Sequence, residues 1–152
     1  MNPSGGRFRV HRGGRPDGLA WEIVAEVGTD GLLYTFLDRT LGNARAESGF
    51  GGEPLEGGRL VDFWYGQADG TPFFVLARTA PEVETVVAVC ASGAEYPLDL
   101  SEADPRFGLR FGAVPLPAGE DLIEVRTVPP SPTGPVHRPR GRNWLNGGSS
   151  SP

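Results

Sequence analysis

The side chains in this sequence that could move a proton or attack a substrate are few and widely spaced. His11 and His137 are its two histidines, one near each end. Histidine is the usual proton shuttle near neutral pH, and a catalytic triad needs it held against a nucleophile in a rigid pocket. His137 lies in a Pro/Gly-rich stretch and His11 ends a Gly-flanked strand-like run, so neither is expected to be catalytic. Cys90, the single cysteine, ends the most β-rich run, and no Lys, Arg or His adjoins it in sequence. It reads as a small buried residue rather than an activated thiol. One cysteine also excludes an intramolecular disulfide and a four-cysteine zinc site. Glu82 with Glu84, or Asp99 with Glu102 and Asp104, could bind calcium or act as an acid and base. The trio is the better metal candidate. There is no EF-hand spacing, however, and acids on turns usually cap the backbone. No phosphate loop, dinucleotide fingerprint or Gly-x-Ser-x-Gly elbow occurs. The expectation is a protein without catalytic residues, metal or cofactor.

Recognition chemistry is better represented. Trp64 and Tyr65 adjoin on one strand-like run and must face opposite sides. One ring should then lie outside a core, to stack on a sugar or mark a protein interface, or else be covered by a loop. Trp144 follows Arg138, Arg140 and Arg142 near the C-terminus, a basic aromatic hook for a partner or a passive tail. These six residues are the candidate partner-binding set. Charge is uneven: residues 1–16 carry four Arg and no acid, and residues 129–152 three Arg and no acid. Residues 17–128 hold seven Arg against all nineteen acids, a net −12. All fourteen basic residues are Arg. Arg grips carboxylate and phosphate bidentately, but an Arg-, Gly-, Ala- and Pro-rich sequence also follows from GC-rich codons. The basic ends either lie on the acidic body or seek an acidic partner or nucleic acid. Arg12-Gly13-Gly14 and Arg140-Gly141-Arg142 are single copies, so another protein is the expected partner rather than nucleic acid.

The elements that must position these groups are strands. The 152 residues suit one domain, and Gly and Pro (23 and 15) make up a quarter of them, which disfavours helices. Apolar residues recur with period two between turn signals. Nine short strands are predicted, over residues 7–11, 20–27, 32–37, 60–65, 72–78, 83–90, 95–98, 107–114 and 122–127. In the second, Trp21, Ile23, Ala25 and Val27 face inward. In the last, Ile123, Val125 and Thr127 do so. Asp30-Gly31 marks a hairpin, and Pro97 places its strand at an edge. Residues 38–58 break the alternation, with five glycines from Gly49 to Gly58, and are predicted to be a long loop and binding surface. The predicted fold is all-β: an antiparallel two-sheet β-sandwich of immunoglobulin-like architecture. Residues 1–6 form a flexible N-terminal arm, 7–128 the domain, and 129–152 a disordered Pro/Gly/Ser/Arg tail. No apolar leader or membrane-length apolar run is present, so a cytoplasmic location is expected.

The order of pieces over residues 72–127 resembles small β-sandwich domains of uncharacterised proteins from high-GC actinobacteria. It is carried by Pro81-Glu82-Val83-Glu84-Thr85-Val86, Tyr96-Pro97-Leu98, Phe107-Gly108-Leu109-Arg110-Phe111 and Val114-Pro115-Leu116-Pro117-Ala118-Gly119. Those relatives often carry a central disulfide, which one cysteine cannot form. The resemblance implies a fold and no activity. The functional expectation is therefore a non-enzymatic protein-interaction module. Its alternatives are a carbohydrate-binding sandwich, or binding of nucleic acid or an acidic partner through the Arg-rich ends.

Overall fold

The computed structural model describes residues 6–131. Eleven strands form three antiparallel sheets. The first sheet is a meander of β1 (Arg7–Gly14), β2 (Ala20–Val27), β3 (Leu33–Leu41) and β4 (Ala44–Gly52). The remaining strands are β5 (Val61–Gly66), β6 (Phe73–Thr79), β7 (Thr85–Cys90), β8 (Glu95–Pro97), β9 (Asp99–Leu100), β10 (Arg110–Leu116) and β11 (Leu122–Val128). The middle sheet has the order β5-β6-β10-β9, and the third sheet the order β11-β7-β8. No helix among the described residues is long and apolar enough to cross a membrane.

The fold is an all-β antiparallel sandwich, with one layer more than the sequence pattern suggests. Strand β6 shows why. Its residues from Phe74 to Thr79 are all buried, with no polar alternation, as in a strand covered on both faces. Phe74 and Leu76 join a core with Trp21, Ile23, Leu37, Trp64 and Phe111, between the first and middle sheets. Val75 and Ala77 point the other way, into a core with Val86, Ala88, Cys90, Leu116 and Val125. The middle sheet is thus the shared wall of two apolar cores. Truncating Leu76 at this position removes contacts worth about 2–5 kcal/mol.

Other expectations change as well, beginning with the strand count, eleven among the described residues where nine were expected. Of the residues 38–58 expected to be loop, 38–41 and 44–52 are strand: β3 runs on to Leu41, and β4 pairs with it from Leu41↔Ala44 to Leu33↔Gly52. The outward residues Tyr34 and Phe36 stand opposite Gly51 and Gly49. A Cβ at Gly51 would run into the Tyr34 ring, and one at Gly49 into the Thr35 carbonyl. These glycines are strand residues cleared for close approach. Ile123, expected inward, is 39% exposed. A bulge between Leu122 and Glu124 turns it out while Val125 and Thr127 stay buried. Pro97 does lie on an edge strand, β8. The chain is still anchored past Val128: Leu60 N–H donates to Ser131 Oγ at 3.2 Å, and Thr127 Oγ1 to the Pro129 carbonyl at 2.8 Å.

Candidate functional site

The residues nominated from sequence part company in three dimensions. Trp64 faces the first sheet and is 4% exposed. It is a core ring, not a partner-binding one, because the first sheet packs over that face of β5. Tyr65 is half-buried on the opposite face, stacked on Phe73 with ring centroids 5.2 Å apart. Burial pushes its hydroxyl pKa up. Arg138, Arg140, Arg142 and Trp144 lie outside the described residues. Three of the four N-terminal arginines rest on the acidic body: Arg7 pairs with Glu47 and Glu26, Arg9 with Glu22, and Arg15 with Asp17, while Arg12 is exposed.

The chemistry-bearing side chains are similarly engaged. His11 Nε2 lies 3.1 Å from the Asp99 carbonyl and 3.2 Å from Asp99 Oδ2. Asp104 is held by Arg106 at 2.7 Å, which keeps its carboxyl below the usual carboxylate range. Cys90 is buried, and burial pushes its thiol up. Asp99, Glu102 and Asp104 do not converge, and among the described residues no group of three or more His, Cys, Asp or Glu side chains is placed to hold a metal ion.

A groove opens on the described surface. It has a volume of about 450 Å³ and lies where edges of all three sheets meet. Strand β1 gives Gly13 and Gly14, and Trp21 forms part of the floor. An added Cβ on Gly13 would strike the Trp21 indole, so glycine here lets the two strands close on the ring. The β8–β9 segment gives Tyr96, Pro97 and Asp99, and β10 with its following turn gives Val114, Pro115 and Pro117. Tyr96 is fixed by its hydroxyl, which donates to Glu120 at 2.7 Å and is pushed up to about 12 by that bond. The Asp99 side chain is 79% exposed. Pro115 has no N–H to offer at the β10 edge beyond the short β9 pairing. The groove is therefore a wall of rings and prolines with two charged residues in its lining, the exposed Asp99 and Arg15, whose charge is met by Asp17, and a poor template for strand addition.

The interlayer between the first and middle sheets holds a second unusual feature. The two largest fully buried side chains are arginines, Arg39 and Arg78. Arg78 Nε donates to Asp62 Oδ2 at 3.0 Å, Nη1 to the Leu33 carbonyl at 2.8 Å and Thr35 Oγ1 at 3.1 Å, and Nη2 to the Gly52 carbonyl at 3.2 Å. Asp62 also accepts from Arg59 and from the Leu55 N–H. Leu55 is the one described non-glycine residue at positive φ, +57°. That conformation costs roughly 1–2 kcal/mol, and the bond to Asp62 helps hold it. Burial pushes Arg78 down from its ordinary value, and Asp62 opposes this. Arg39 differs. Its Nη1 donates to Ser48 Oγ at 2.8 Å and the Leu37 carbonyl at 3.2 Å, but Nε and Nη2 have no partner among the described residues. The Trp64 and Phe74 rings lie 5.6 and 5.9 Å from its guanidinium carbon. Burial pushes Arg39 down as well, with only Asp38 opposing.

On the outer face of the first sheet, Tyr34 and Phe36 lie near-parallel, 9° apart in plane with centroids 6.3 Å apart. Arg7 sits over the Phe36 ring at 5.2 Å. Neither the groove nor these rings were singled out from sequence. The groove residues come from three distant segments, and Trp21 reads simply as an inward position of β2. No family model, curated protein or solved structure matches the chain.

Proposed function

We propose that this protein is a non-enzymatic interaction module that holds an extended, proline-containing segment of another protein in the groove between β1, β8–β9 and β10. The observation that carries this is the lining: Trp21, Tyr96, Pro97, Pro115 and Pro117 around one groove. Flat rings and prolines suit a polyproline II ligand, which arrives already extended and loses little entropy on docking. The exposed Asp99 at the rim favours a basic residue beside the prolines. Further support comes from His11, Cys90 and Asp104, each engaged or buried as described. A cytoplasmic location fits the lone, buried thiol.

Selection from a random peptide library on the full chain tests the reading. Enriched peptides should contain proline and a basic residue. They should lose at least ~10-fold in affinity against Asp99→Lys and Pro97→Glu, both exposed positions expected to leave folding intact. Failure to enrich above the bare matrix, or binders indifferent to both variants, contradicts it.

The parallel Tyr34 and Phe36 rings favour a second reading, carbohydrate binding on the first sheet instead of at Trp64 and Tyr65. Retardation in polysaccharide gels that disappears in Tyr34→Ala would support it, and unretarded migration of the native chain would remove it. Nucleic-acid binding draws no comparable support from the described residues, where three of the four N-terminal arginines, Arg7, Arg9 and Arg15, are met by acids of the body.

A further inference from the structure

We propose that the Nε–Nη2 edge of Arg39 is a recognition site for a small carboxylate anion enclosed between the first and middle sheets, independent of the groove. Arg39 is 0% exposed. Its Nη1 is satisfied by Ser48 and Leu37, while the two donors along its other edge have no partner among the described residues. A buried donor without an acceptor is destabilising and rare in native proteins. Here two of them sit side by side on one guanidinium, together with an unneutralised charge.

The rest of the molecule shows what that edge binds. Arg15, Arg45, Arg59 and Arg106 each direct Nε and Nη2 at a single carboxylate group, with Nη2–oxygen distances of 2.7, 2.9, 2.8 and 2.7 Å. This is the fork that matches a planar carboxylate. Arg39 presents the same fork with no acid to meet it. The neighbouring Asp38 is on the opposite face of β3 and is held by Arg45 at 2.9 Å. The Trp64 and Phe74 rings near the guanidinium carbon keep water from the pair, so an ion pair formed there is stronger than at the surface. Full enclosure limits the ligand to a few heavy atoms, of formate or acetate size. Entry is possible at the end of the layers. Arg39 is two residues from the end of β3, and the β5–β6 turn lies against the start of β4 there: a Cβ on Gly70 would be 2.7 Å from Ala44 Cβ. Local parting of two exposed turns is a low-energy opening.

The test measures thermal unfolding of the full chain in sodium formate and sodium acetate, with sodium chloride at matched ionic strength as reference. The native chain should gain several degrees with saturation, as a ligand specific to the folded state does. Arg39→Met should gain nothing, and Arg39→Lys, which keeps the charge without the fork, should gain less than half as much. A second measurement needs no variant: the Arg39 Nε–H resonance should shift saturably with formate and stay fixed in chloride. Equal stabilisation of the native chain and Arg39→Met overturns the proposal. So does an Nε–H signal indifferent to formate, which leaves water as the partner of the fork.

Discussion

Arg39 and Arg78 occupy one interlayer, come from facing sheets, and are equally hidden from solvent, yet their surroundings are opposite in kind. Each nitrogen of Arg78 has an acceptor, and its charge is met by Asp62. Through Leu33, Thr35 and Gly52 it ties both β3 and β4 to the middle sheet. Its Phe50 contact, 4.7 Å from ring to guanidinium carbon, adds packing to the clamp. Arg39 has aromatic neighbours, two acceptors for a single nitrogen, and no buried acid. The difference teaches that burial alone does not define a structural arginine. A saturated guanidinium is explained by the fold it holds together, whereas an unsaturated one at the same depth demands a reason outside the fold.

The contrast can be broken most forcefully at Asp62. Asp62→Ala leaves Arg78 buried with its charge unmet and removes the acceptor of the Leu55 N–H. It should cost about 3–5 kcal/mol in urea unfolding, and a loss below 1 kcal/mol would show that Arg78 is not held as a charge pair. Ser48→Ala probes the other arginine, whose Nη1 would keep the Leu37 carbonyl. The expected loss is about 1 kcal/mol. A loss as large as that of Asp62→Ala would make Arg39 a clamp of the same kind.

The smallest effect is expected where polar partners are matched at the surface, between Tyr96 and Glu120. Hydrogen bonds from Ser92 and Tyr96 hold the Glu120 carboxyl below its ordinary value. Its contribution is therefore complete above the unfolded carboxylate pKa and fades as pH falls through the lower folded value. Glu120→Gln should flatten that part of the acid limb of a stability–pH profile. The same bond pushes Tyr96 from 10 up to about 12, so its share fades as pH rises from 10 toward 12. Tyrosinate absorbance should show Tyr96 ionising near 12 in the native chain and nearer 10 in Glu120→Gln. Ionisation near 10 in both would contradict the bond.

Much of this frame is legible from residue order. The inward positions of β2 follow from strict alternation, and Pro97 announces an edge. The third layer is written in the unbroken apolar run from Phe73 to Ala77, which a one-sided strand would not need, though the alternating neighbours suggest two sheets. Strand β4 is hidden because all its inward residues but Phe50 are small (Ala44, Ala46, Ser48, Gly52) and its outward ones include glycines chosen by the rings of β3. Arg39 carries a signal: it continues the inward series Leu33, Thr35, Leu37 at period two, where a charge is out of place. Arg78 likewise interrupts the face begun by Phe74 and Leu76. What no local pattern gives is the pairing state of those charges, because Asp62, Ser48 and Gly52 reach them from other strands. The groove is illegible for the same reason, being built from segments around residues 13–21, 96–99 and 113–117.

Urea unfolding of Arg39→Met and Arg78→Met, measured side by side with the native chain, tests the contrast most directly. Methionine fills similar apolar space without the charge. At position 39 it removes two orphan donors and should stabilise by on the order of 1 kcal/mol; at position 78 it leaves Asp62 buried without its interlayer partner and should destabilise by about 3 kcal/mol or more. Changes of the same sign and similar size would mean that the two arginines play one role, and the distinction between them would fall.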